Sequence, residues 1–269
     1  MAYKVNKSKF LRTLMILCVL IIGVAAFLGA HSGNDENKTE QAMEEEGKLQ
    51  TPYEGNSVSP ARPDALKGVK IVLDAGHGGF DSGTSGITTK VEEEEINLAI
   101  TQKLEKELTG IGAEVVMTRT DNDAIGATKD EDMKNRRKII EQSGEDLVVS
   151  IHQNRYADEN VTGPQVFYAP GSTLGKTLAE TLQSHLNEQL EPKSPRSAAS
   201  ADYYILRSGS APCVIVECGF LSSPEEEQLL MQDGYQQKVA QALRDGVAAF
   251  WSSQQNPDGP MISIDPQAE

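Results

Sequence analysis

The sequence predicts an α/β domain in three layers: a twisted, mostly parallel sheet of about six strands with helices on both faces. Three observations carry this. Short segments rich in Val and Ile recur along the chain, and several are apolar on both faces, the mark of a sheet covered on both sides. Between them lie stretches whose apolar residues return every three or four positions. Strand and helix patterns alternate, as they do when helices cross over a parallel sheet.

In chain order, the predicted strands are VKIVLDA (Val69 to Ala75), AEVVMTR (Ala113 to Arg119) and DLVVSIH (Asp146 to His152), followed by QVFYA (Gln165 to Ala169), YYIL (Tyr203 to Leu206) and CVIVEC (Cys213 to Cys218). Helical stripes run through Ile96, Ile100, Leu104 and Leu108, through Leu174, Leu178, Leu182 and Leu186, and through Val239, Leu243, Val247 and Phe250. A Glu-rich helix follows VIVECGF. The folded domain is expected over residues 67–254, with a Pro/Gly/polar tail without periodicity over 255–269. No internal repeat or second domain is visible.

The N-terminus is different in kind. Lys4, Lys7, Lys9 and Arg12 precede LMILCVLIIGVAAFLGA (Leu14 to Ala30), which carries no charge. A basic start and an apolar run of this length read as a signal peptide or signal anchor over residues 1–30, so the chain is expected in the cell envelope, secreted or membrane-anchored. Residues 31–66 are polar, acidic and apolar-poor, a composition that cannot bury a core and predicts a disordered tether.

Charge narrows the partners. The chain carries −15, and −19 once the four basic residues of the arm are set aside. That argues against nucleic acid, which demands a basic footprint. Nothing in the pattern indicates an oligomer, so a monomer is expected. Cys213 and Cys218 are the only cysteines outside the apolar run. Five apart on a strand, they face opposite sides roughly 17 Å apart, too far for a disulfide.

Candidate chemistry gathers at element ends. IVLDAGHGGFDSG (Ile71 to Gly83) sets His77 among glycines just past a strand, SIHQN places His152 at another strand end, and VIVECGF places Glu217 within an otherwise apolar strand. In open α/β sheets, sites form outside the carboxyl ends of the strands. VEEEEINLAI adds four glutamates at a helix start. At about 100° per residue, Glu93 lies about 20° from the centre of the apolar stripe and Glu92 about 80° away, with Glu94 and Glu95 facing sideways or outward. A carboxylate on the sheet side needs a cation, and two histidines with one carboxylate are a common set for catalytic zinc. Glu92, Glu94 and Glu95 are expected to be a solvated first turn. Glu217 is expected to have a raised pKa, suited to taking a proton from an attacking water and returning it to a leaving amine.

LDAGHGG, the glutamate four residues before the Asn of EINLAI, SIHQN, and VIVECGF occur in this order. Together they resemble the zinc-dependent N-acetylmuramoyl-L-alanine amidases of bacterial cell walls, over roughly Val69 to Trp251. The resemblance implies one Zn2+ per chain held by His77, Glu93 and His152, and Glu217 as catalytic acid/base. It implies that Asn154 and Arg136 orient substrate or brace the site, and Asp74 is expected to support a ligand. The implied reaction is hydrolysis of the amide joining N-acetylmuramic acid to the first L-alanine of the peptidoglycan stem peptide. Glu94 and Gln153 depart from the family's usual basic and small residues. Cys218 replaces an aliphatic one, which would set an oxidation-sensitive thiol near the metal. The glycines Gly76, Gly78 and Gly79 are expected to keep space open above the metal. Two alternatives stay open: a zinc peptidase cutting within the stem peptide, for which Arg136, Arg155 or Arg207 could hold a terminal carboxylate, and an inactive wall-binding module. No activator is legible.

Overall fold

The structure, a computed structural model, describes residues 62–256. The predicted signal segment, the tether up to residue 61 and the tail from residue 257 lie outside the described residues. Among the described residues no helix is long and apolar enough to cross a membrane.

Six strands form one sheet: β1 (Lys70–Ala75), β2 (Glu114–Met117), β3 (Leu147–Asn154), β4 (Gln165–Tyr168), β5 (Ala199–Ser200) and β6 (Cys213–Phe220), in the order β2-β1-β3-β6-β4-β5. The pairs β1/β2, β1/β3, β3/β6 and β4/β5 are parallel, and β4/β6 is antiparallel. Among the described residues five α-helices complete it: α1 (Glu93–Gly110), α2 (Lys129–Ser143), α3 (Thr173–Leu190), α4 (Pro224–Leu230) and α5 (Asp233–Gln255). The three-layer, mostly parallel α/β architecture is the one the sequence predicts.

Alternation along the strands sorts side chains onto two unlike faces. Ile71, Leu73, Leu147, Val149, Ile151, Val214, Val216 and Cys218 join the stripes of α1, α3 and α5 in one large apolar core. Val72, Val148, Cys213 and Ile215 face the other way into a smaller cluster with Ile140 of α2 and the pair Ile205 and Leu206, edged by half-buried Met133, Val116, Phe167 and Ala169. Asp74, Ser150, His152 and Glu217 share the parity of this second, thinly covered face. The site can therefore lie open there while the first face stays sealed.

Three expectations are corrected and one helix is added. YYIL is not a strand: Tyr204 turns into the right-handed helical region and Ile205–Arg207 forms a short 3-10 helix, which packs Ile205 and Leu206 together against the sheet. The strand beside β4 is instead Ala199–Ser200. Helix α2 has no apolar stripe to announce it: its buried residues are Asp132, Arg136 and Ile140. Its other marks are present, with Thr128 capping by accepting a hydrogen bond from the Glu131 amide and Gly144 closing in the left-handed region, as helix ends commonly do. Leu66, assigned to the tether, is fully buried, its amide donating to Ile111 O. Leu174, by contrast, is exposed, and the α3 stripe starts at Leu178.

The two cysteines fall on opposite faces, free and buried, as their spacing predicts. Burial pushes the Cys218 thiol well above its usual range, so the thiolate that oxidation requires is suppressed. The oxidation-sensitive thiol is not supported.

Candidate metal centre

Parallel strands β1, β3 and β6 end on the same side, and that is where the chemistry collects. His77 follows β1, His152 and Asn154 lie on the last part of β3, and Glu217 pairs in register with His152 across β3/β6. Glu93 opens α1 with its side chain turned inward, almost wholly buried at 3 % exposure. Two imidazole nitrogens and one carboxylate oxygen from His77, Glu93 and His152 lie within 4.8 Å of one another.

Glu93 Oε1 stands 3.2 Å from His77 Nε2 and 2.9 Å from His152 Nδ1, and the two rings meet edge to face with centroids 4.9 Å apart. Burial would raise the Glu93 pKa, but the two imidazoles hold it well below the usual carboxylate range. The amides of Gln153 and Thr84 and the Asn97 side chain also donate to this carboxylate. Asn97 is the residue four positions on, in the EINLAI motif, and it spans to Gly76 O as well. His77 Nδ1 lies 3.1 Å from Asp81 Oδ2, which fixes the proton there and leaves Nε2 as the lone-pair donor. Lys129 in turn holds Asp81 at 3.0 Å.

The backbone is shaped around these side chains. His77 is left-handed at φ 62°, a conformation uncommon outside glycine that concentrates at functional sites. Arg136 Nη2 donates to His77 O at 2.5 Å and Nη1 to Ala75 O at 2.7 Å. A Cβ on Gly76 would stand 2.2 Å from the His152 ring, so only glycine lets that ring approach. Gly79, expected to open space above the metal, instead packs under Ala124, with its amide on Asn122 O.

Of the two roles expected of Arg136, orienting substrate or bracing the site, its surroundings favour the second. It is 2 % exposed, and four of its N–H groups are engaged by Asp132, Asp74, Ala75 O and His77 O, so it braces. Asp74 touches no ligand imidazole through a hydrogen bond; it accepts from Arg136, Thr118 and Ser150. Its support for His77 passes through Arg136. The residue that touches His77 is Asp81, and its four-residue spacing from His77 is the available clue. Glu94 is also not solvated: it is 5 % exposed and pairs with buried Arg119 at 3.5 Å. Glu92 and Glu95 are exposed as expected.

Glu217 completes the group. Burial raises its pKa to about 7, against the opposing pull of the histidines, and its Oε2 is buried without a hydrogen-bond partner. A buried carboxylate oxygen with nothing to bind is costly unless something occupies the space before it. That space is a cavity of about 540 Å³ lined by the three candidate ligands, Glu217, Asn154, Tyr203 and Tyr204, among others. The donor set and the unpaired oxygen both fit a divalent cation with one open position.

Known proteins resemble this chain in sequence and in fold. Residues 71–249 match the family model described as N-acetylmuramoyl-L-alanine amidase. The chain belongs to the N-acetylmuramoyl-L-alanine amidase family. It is 32 % identical over 200 residues to the germination-specific N-acetylmuramoyl-L-alanine amidase of Bacillus subtilis, covering 71 % of this chain and 84 % of that protein. It is 33 % identical over 192 residues to the probable cell wall amidase LytH of Staphylococcus epidermidis, covering 70 % of this chain but 60 % of LytH. Among solved structures, CwlD amidase of Clostridioides difficile, in complex with the GerS lipoprotein, is 34 % identical with a TM-score of 0.66, covering 68 % of this chain and 98 % of that one. By family and fold the chain is an enzyme, an amidase acting on the cell wall.

Proposed function

We propose that the amidase is zinc-dependent and hydrolyses the amide between N-acetylmuramic acid and the L-alanine of the stem peptide. The single observation that carries this is the convergence of His77, Glu93 and His152 beside the unpaired, buried Glu217. His77, Glu93 and His152 would hold the ion. When bound there, zinc would supply Lewis acidity toward an amide carbonyl and toward water.

The chain's own residues do the rest. Glu217, with a pKa near neutrality, is able to take a proton from the attacking water and give it to the leaving L-alanine nitrogen. Glu93 bears the negative charge that offsets a cation. Asp81 holds the His77 tautomer, and Arg136 and Asp74 hold the turn from which His77 projects. Asn154 lines the cavity at the end of β3 and would orient substrate. Residues 1–30 would export the chain and anchor it or be removed.

Digestion of purified peptidoglycan tests the reading. The expected result is new L-alanine amino termini on an intact glycan, lost with a chelator and restored by zinc. Full activity in chelator, or new termini within the stem peptide, would overturn it.

A further inference from the structure

The cleft does not stop at the metal centre. A second cavity of about 440 Å³ is lined by Ile87, Arg155, Tyr156, Ala157, Glu159 and Ser222. Arg155 lines both cavities and so forms the wall between them. Its Nη1 donates to Thr84 Oγ1 at 3.1 Å and to Ser85 O at 2.9 Å. Those bonds tether one edge of the guanidinium to the loop whose Thr84 amide also binds Glu93.

Arg155 is unlike most arginines of this acidic chain. Arg119, Arg136, Arg137, Arg207 and Arg244 each hold a carboxylate. Among the described residues Arg155 holds none, and neither its Nε nor its Nη2 has a hydrogen-bond partner there. A guanidinium anchored at one corner, with its other donors free, presents a fork suited to a carboxylate. Glu159 lies in the outer cavity only, so the groove offers a positive group near the metal centre and a negative one beyond it.

We propose that this groove is a stem-peptide subsite, in which Arg155 receives the carboxylate of the residue after L-alanine and Glu159 the side-chain amine of the diamino acid that follows. The proposal rests on the amidase reading above. It follows from order: with the scissile amide at the metal centre, L-alanine lies beside it. An extended peptide advances about 3.3 Å per residue, so the next side groups reach Arg155 and then Glu159. Ser222 and Tyr156 line the same cavity and are joined by the bond from Tyr156 N to Ser222 Oγ.

The test measures L-alanine amino termini released from soluble disaccharide-peptides by the zinc-loaded full chain. Second-residue carboxyls are free or amidated, and third-residue amines are free or acetylated. Wild type is expected to prefer the free carboxyl by about tenfold in kcat/KM, through KM, the scale of one charge-assisted hydrogen bond. Arg155→Gln is expected to erase that preference, Arg155→Lys to keep part of it, and Glu159→Gln to erase the preference for the free amine. Equal use of free and amidated peptides by wild type would overturn the subsite. So would an Arg155→Gln loss that is the same on both. The wild-type comparison needs no variant, so it decides the matter even if Arg155→Gln fails to fold. No hydrolysis of any substrate by the loaded wild type would sink the amidase reading itself, and the subsite with it.

Discussion

The two faces of the sheet solve the same covering problem by different chemistry. The face under α1, α3 and α5 is sealed by aliphatic side chains, with Leu104, Leu108, Leu182 and Leu243 fully buried. The face under α2 buries few apolar groups and instead inserts Arg136 between Asp74 and Asp132, at 2.7 and 2.6 Å. Area-driven packing tolerates small changes of shape. A buried charge network does not, because each missing partner leaves a desolvated charge behind. The second face is the one that carries His152 and Glu217 and holds the left-handed turn of His77. Rigidity under the site comes from polar bonds, while cohesion of the domain comes from the other side.

That contrast can be broken experimentally. The largest effect is expected from Glu217→Gln, which removes the proton carrier but keeps the shape: kcat should fall by about 10²–10⁴, with the thermal midpoint little changed. A loss of stability as large as the loss of rate would refute the separation of roles. Next is Asp74→Asn, which leaves the buried Arg136 charge with Asp132 as its one remaining carboxylate partner. At neutral pH it should cost about 3–5 kcal/mol in denaturant unfolding and reduce zinc retention, since Arg136 also holds His77 O.

The same variant has a pH signature. Burial alone would raise the Asp74 pKa, but Arg136, Ser150 and Thr118 hold it at about 2, against 3.8 for an ordinary aspartate. A depressed carboxylate stabilises the fold above its unfolded pKa and ceases to do so as pH falls through its folded one. Unfolding curves should show the wild-type advantage over Asp74→Asn shrinking by on the order of 2 kcal/mol between about pH 4 and pH 2. A gap constant across that window would show that Asp74 is not held ionised.

On the apolar face, Leu104→Ala should cost about 2–5 kcal/mol yet leave kcat per folded molecule within about twofold. A matching loss of kcat would mean the faces are coupled. The smallest effect is expected at Thr128→Ala, which removes the cap of α2 for about 1 kcal/mol. Because α2 carries Arg136 and Asp132, this slight loosening should still lower zinc affinity measurably by competition with a chelating dye, whereas an equally mild change on α5 should not.

Much of the site is legible in the residues alone. Glu93 is separable from its three neighbours because a helix that buries Ile96, Ile100 and Leu104 must also turn Glu93 inward. Glu217 stands out because an acid in an apolar strand demands a reason. Glu94 escapes that reasoning because its partner, Arg119, lies at the end of another strand, and helical angle alone cannot foresee a cation arriving from across the fold. Helix α2 escapes it for a related cause: its inward residues are charged, and periodicity of apolar residues is blind to a buried ion pair.

The sequence by itself determined the alternation of strands and helices, the two-faced strands, and which histidines and carboxylates stand at element ends. Those follow from local spacing, which sets the direction of each side chain once strand or helix is known. Only the tertiary structure decided which of them meet. It made Asp81 the partner of His77 and Arg136 a brace beneath the turn, seated His152 against a glycine that leaves room for its ring, and left one arginine without a carboxylate at the mouth of the cleft. Such pairings depend on distances between segments far apart in the chain, and those distances exist only after the sheet has set the register of its strands.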